Sequence, residues 1–130
     1  MMANKIELVR RTYAGDAAEK LQALEAVVAP DIEWTEAAGF PYAGTYRGLK
    51  AITAGVFHRL GTEWDGYFAE AHTFVGDDDH VAVFGVYSGT FKATGKFMTS
   101  PFAHLYEFEN GKIVRMTQYV DTVLVARALS

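Results

Sequence analysis

The chain has 130 residues, half of them hydrophobic and 14% aromatic, with a net charge of −4 and acidic and basic side chains interspersed. One domain of this size buries roughly two-thirds of its unfolded surface, and so mild a charge excludes disorder and a general affinity for nucleic acid. The absence of cysteine excludes disulfides, a thiol nucleophile and thiolate metal sites.

The charged start around Lys5 and Glu7 lacks a signal-peptide core, and no apolar run approaches the roughly 20 residues of a membrane span. A soluble, cytoplasmic protein without membrane partners is expected. Ile6, Val9, Arg10 and Tyr13 recur at helical spacing and predict a first helix from about residue 3 to 14, stopping near Gly15. Asp16 and Glu19 form a capping box that opens a second helix, with Leu21, Leu24, Val27 and Val28 as its apolar stripe and Pro30 at its end. Residues 31–36 alternate, which suits a short strand carrying Ile32, Trp34 and Glu36 on one face. Residues 37–48 read as a glycine-rich loop whose aromatics, Phe40, Tyr42 and Tyr46, need burial; such loops often line pockets. Leu49, Ile52, Val56, Phe57 and Leu60 predict a third helix ending at Gly61.

From Trp64 onward the apolar period changes from 3.6 to 2. Four strands are predicted, at 67–75, 80–92, 96–109 and 112–121, joined by short turns that make neighbours antiparallel, and residues 122–129 form a terminal helix. Helices first and strands after, without βαβ alternation, indicate an α+β domain with helices packed on a curved antiparallel sheet.

Asn110-Gly111 between two alternating runs marks a type I′ hairpin turn, since both central residues need positive φ. With these as the two loop residues, Glu109 pairs with Lys112, His104 with Thr117, Phe102 with Tyr119 and Ser100 with Asp121. One face then carries Phe102, His104, Tyr106, Tyr119 and Asp121. The other face is also apolar, so the sheet must be covered on both sides, by helices, a pocket or a partner subunit.

Four polar groups fall where chemistry could occur. Asp121, at a strand end on the aromatic face, has two readings that can hold at once, an acid or base and the cap of the terminal helix. His104 is a general acid, a base or an oxyanion donor, or else a satisfied core histidine. Glu36 lies two residues beyond Trp34 on the same face, as a base at a pocket rim or as an exposed strand-end carboxylate. Tyr13 either donates its hydroxyl into a cavity or fills the core. His58, His72, His80 and His104 show no ligand spacing, and the turn at Asp77-Asp78-Asp79 lacks the glycine and distant glutamate of a cation loop, so no metal is expected. No GxSxG, P-loop or GxGxxG occurs.

Gly15-Asp16 between two helices, APDIEWTE, PYAGTYRGLKAI and FAHLYEFENGKIVRMTQYVDT together resemble the nuclear transport factor two-like superfamily, and within it the SnoaL-like polyketide cyclase and ketosteroid isomerase-related group. The resemblance implies a cystatin-like cone in which a curved sheet and N-terminal helices enclose an apolar pocket, usually in a homodimer formed through the outer sheet face. In ketosteroid isomerase a carboxylate after the first strand is the base, which Glu36 matches. A helix-one tyrosine and an aspartate kept protonated by its apolar site make that enzyme's oxyanion hole, matched here by Tyr13 and His104. In SnoaL-like cyclases a histidine and an aspartate close the ring, matched by His104 and Asp121. The Arg and Asp of limonene epoxide hydrolase have no counterpart at Ala103, His104 or Tyr106.

The expectation is an isomerase or cyclase-like enzyme for a small, mostly apolar carbonyl compound. Asp121 or Glu36 would take a proton, His104 and Tyr13 would stabilise the enolate, and Trp34, Phe40, Tyr42, Phe57, Phe102 and Tyr119 would shape the pocket. No cofactor is required. The alternatives are a ligand-binding protein without catalysis and a dimerising scaffold module.

Overall fold

The computed structural model describes residues 2–130, with side chains from Lys5 onward. Two helices open the chain, α1 (Met2–Arg11) and α2 (Ala17–Glu25). The capping box forms as the sequence implies, with the Asp16 carboxylate accepting from Glu19 N at 2.8 Å and Glu19 Oε1 accepting from Asp16 N at 3.0 Å. Pro30 does not end α2. It lies inside β1 (Val28–Glu36), at the irregular stretch between Val28 and Glu33 where the ladder to the neighbouring strand is interrupted and a missing N–H costs nothing.

The predicted loop contains a short strand, β2 (Gly44–Arg47), paired antiparallel to Glu33–Glu36. The third helix runs further than predicted and in three pieces: α3 (Leu49–Ile52), a π-helical turn (Thr53–Phe57) and α4 (His58–Glu63). The widened turn carries Gly55 against the Tyr46 ring, where a Cβ would come within 2.3 Å of the ring edge. Four long strands follow, β3 (Trp64–Gly76), β4 (His80–Phe91), β5 (Lys96–Glu109) and β6 (Lys112–Val120), and then α5 (Thr122–Leu129). The sheet order is β2-β1-β6-β5-β4-β3, antiparallel except for the β1–β6 pair. No helix among the described residues is long and apolar enough to cross a membrane.

Bulges bend this sheet around its inner face. At the β3 bulge between Ala71 and Thr73 the strands close up, and a Cβ on Gly85 would lie 2.0 Å from the Glu70 carbonyl oxygen. Gly85→Ala is therefore expected to destabilise the fold by about 3 kcal/mol or more, read as a fall in chemical-denaturation midpoint, because the obstacle is backbone and cannot rotate away.

The Asn110-Gly111 turn forms as predicted, with φ of 51° and 77°. Glu109 pairs with Lys112 and Phe108 with Ile113, but Glu107 then pairs with Arg115, leaving Val114 bulged. From there the expected register is displaced by one: His104 faces Gln118 and Phe102 faces Val120, in place of Thr117 and Tyr119. A one-residue slip exchanges the two faces of a strand. Met116 and Gln118 consequently turn inward and are buried, whereas Tyr119 is 56% exposed on the outside. In the shifted register the Arg115 guanidinium lies 2.9 Å from Glu107 and 3.5 Å from Glu33, across three strands.

Candidate functional site

Helices and inner sheet face enclose a cavity of about 740 Å³, within the range of sites that hold a drug-sized ligand. Five of the sequence-predicted residues line it: Tyr13 just after α1, Trp34 and Glu36 on β1, Phe57 on the π-helical turn and His104 on β5. Trp64, Tyr67, Tyr87, Tyr106 and Gln118 also line it.

The other predicted pocket residues are placed elsewhere. Phe40, Tyr42 and Phe102 are buried but stand behind the cavity wall. Tyr42 donates its hydroxyl to Glu63 and accepts from the Trp64 indole, while Phe102 stacks between Tyr87 and His104, with centroids 4.3 and 4.4 Å away. Tyr119 lies outside for the register reason given above. Asp121 is exposed and follows β6 outside the cavity; its carboxylate accepts from Leu124 N at 3.4 Å, so of its two readings the structure shows the helix cap. Its carbonyl accepts from the Ser100 hydroxyl at 2.9 Å.

At the cavity floor a hydrogen-bonded chain crosses the sheet. Gln118 Oε1 accepts from Ala37 N at 2.9 Å, and this orients the amide so that its Nε2 donates to the Tyr87 hydroxyl, also at 2.9 Å. Tyr87 meets His104 Nε2, His104 Nδ1 meets the Tyr13 hydroxyl, and Tyr13 reaches the Tyr106 hydroxyl at 2.7 Å. Burial holds the His104 pKa down at about 3, so the ring is neutral, with one donor and one acceptor. Both nitrogens face tyrosines, so His104 reaches a ligand only through their hydroxyls. Burial also raises the Tyr13 and Tyr87 hydroxyls above their ordinary range and Tyr106 likewise, so all three stay protonated donors.

Glu36 stands apart from this chain. It is 5% exposed, it forms no salt bridge among the described residues, and burial pushes its pKa up to about 8. The Trp34 indole lies near the carboxyl and pulls the other way, yet its N–H completes no hydrogen bond and remains buried without a partner. A buried N–H left free beside a buried carboxyl is costly unless something binds there. Among the described residues no group of three or more His, Asp or Glu side chains converges as metal ligands do.

Sequence reasoning missed Tyr87 and Gln118. Tyr87 shares its inward parity with Val81 and Val83 on β4, a signal that was present; Gln118 was hidden by the Val114 bulge.

A family model described as SnoaL-like domain matches residues 9–116. Among solved structures, a nuclear transport factor two-like protein from Burkholderia thailandensis is 44% identical, with 96% of each chain covered and a TM-score of 0.90. Another, of unknown function, from Burkholderia pseudomallei is 26% identical over 98% of each chain, with a TM-score of 0.85. TerC, co-crystallised with polyporic acid, is 26% identical over 95% of this chain and 96% of its own, with a TM-score of 0.81. No curated protein matches. With more than half its length matched by the family model and a relative 44% identical along nearly all of it, the chain belongs to the SnoaL-like domain family.

Proposed function

We propose that the cavity binds a small, mostly apolar carbonyl compound and that the protein moves protons at its carbon without a cofactor, by enolisation leading to isomerisation, aldol cyclisation or dehydration. The observation that carries this reading is the Glu36 carboxyl, buried and without a salt-bridge partner on the wall of an aromatic cavity. Raised to about 8, its carboxylate is a stronger base than an ordinary one, and roughly a tenth of it is ionised at neutral pH. It takes the proton α to the carbonyl. The electron pair moves onto the carbonyl oxygen, which then needs donors already in place.

The tyrosine chain supplies them. A neutral imidazole between two hydroxyls permits two polarities, and when His104 Nε2–H donates to Tyr87, the Tyr87 proton is released toward the cavity. The Trp34 N–H is a second free donor. The likeness to TerC, co-crystallised with polyporic acid, supports a ligand-binding use of the cavity. Deuterium exchange at the α carbons of 2-tetralone in D₂O, followed by NMR, tests the chemistry: the protein is expected to accelerate exchange well beyond an equal concentration of acetate. Binding without acceleration across a panel of enolisable aryl ketones would reduce the protein to a ligand carrier, the reading favoured by a His104 whose nitrogens are both occupied.

The expected homodimer belongs with this proposal. Phe84, Ala103 and Tyr119 form one rung across β4, β5 and β6 on the outer face, with Phe84 46% and Tyr119 56% exposed. An apolar row of this kind suits a partner surface. Phe84→Glu is expected to convert a dimer into a monomer in sedimentation velocity at micromolar concentration, and a wild-type monomer at that concentration would refute the dimer.

A further inference from the structure

The cavity is chemically lopsided. Its floor holds Glu36, Gln118 and the tyrosines, whereas its lining contains a single lysine or arginine, Lys20, among the described residues. Lys20 projects from α2 beside an exposed rim that includes Gly15, Asp16, His58, Gly61, Gly66 and Phe68. It is half-buried, with Nζ 4.6 Å over the Phe68 ring.

None of the ion pairs among the described residues involves Lys20. The acids of its own helix start are committed elsewhere, Asp16 to the Glu19 N–H and Glu19 to the Asp16 N–H. Partial burial lowers its pKa, which means the ammonium has lost water and gained only an aromatic face in return. A cation over an aromatic ring recovers part of that loss, less than a carboxylate or other anion would restore at the same place. The chain as a whole carries a charge of −4 and repels anions, so a cation at the entrance is the charged feature of the cavity that favours them.

We propose that the ligand is an amphipathic aromatic or conjugated acid, its anionic group held at the mouth by Lys20, its flat body against the aromatic wall and an oxygen at the Trp34 N–H and Glu36. This rests on the carbonyl-binding reading and narrows it. A neutral ketone would leave Lys20 unpartnered, and an amine would meet the wrong charge at the rim. The cation–π contact with Phe68 gives way when the anion arrives.

A matched pair of probes tests this: 8-anilinonaphthalene-1-sulfonate and N-phenyl-1-naphthylamine share one aromatic body and differ in the sulfonate. Both tryptophans of the chain, Trp34 and Trp64, line the cavity, so saturable quenching of their emission reports binding there. Lys20→Met is expected to weaken the sulfonate by about tenfold or more and leave the neutral probe within about twofold, and Lys20→Arg to keep the wild-type preference. Equal loss of both probes, or loss of neither, overturns the acid proposal while the carbonyl pocket stands. Failure of both probes to quench the wild-type protein overturns the binding cavity itself, and the proposal with it.

Discussion

Glu36→Gln is expected to lower the rate of α-proton exchange by about a thousandfold while making the protein more stable at alkaline pH. The two effects have one cause. Burial raises the folded-state pKa of Glu36 from 4.5 to about 8, so between those values the folded chain holds a proton that the unfolded chain releases. Stability therefore falls as pH rises through that window and levels off above it, by an amount on the order of 3–5 kcal/mol at most. Glutamine has the same shape and does not ionise. Its denaturation midpoint should lose that slope, and activity of the wild type should rise with pH toward about 8, as the base ionises. A variant that loses activity but keeps the alkaline slope would show that the buried titrating group is not Glu36.

His104→Leu is the second large effect, expected to cost about 3–5 kcal/mol in denaturant melts. The imidazole is the middle member of the chain from Gln118 to Tyr106, and an aliphatic side chain leaves the Tyr13 and Tyr87 hydroxyls facing each other without a link. It also contributes a pH dependence of its own. With the folded pKa depressed from 6.5 to about 3, the unfolded chain binds a proton that the folded chain refuses. Stability is then lost as pH falls through that interval, and the Leu variant should lack this acid limb. Between 4.5 and 6.5 the Glu36 and His104 slopes oppose each other, and removing either one should expose the other. An unchanged acid limb in the Leu variant would place the titration on another group.

What the sequence disclosed follows a physical division. The capping box at Asp16, the Asn110-Gly111 turn and the helix at Thr122–Leu129 depend on neighbours a few residues away, and each forms as read. The order of helices and strands was legible too, because hydrophobic period survives any detail of pairing. The features that were not legible depend on distant partners: Pro30 tolerated where the β1 ladder is interrupted, β2 recruited from a loop by Glu33–Glu36, the π-helical turn that admits Tyr46 beside Gly55. The site divides in the same way. Glu36, Trp34, Phe57, Tyr13 and His104 reach the cavity, four of them from elements that precede the hairpin and His104 from the strand before its turn. Tyr119 and Asp121 lie beyond the bulge, and the unbulged pairing puts both on the wrong face. Both parities of β6 are plausible from residue type alone, and the contacts that go with the observed one, Gln118 to Ala37 and Tyr87 and Arg115 to Glu33 and Glu107, come from other parts of the chain.

The bulged Val114 bears on how such proteins diverge. Because Val114 is the surplus residue, a single-codon deletion there would leave Arg115 opposite Glu107 and Gln118 opposite His104, so the ladder would become regular while Met116 and Gln118 kept the interior. Binding site and assembly surface would both survive that loss, whereas a regular pairing that kept Val114 in the ladder would exchange them. Homologues one residue shorter at this point would present the same positions to the ligand, and would look as if they had exchanged their specificity residues only when aligned without the gap.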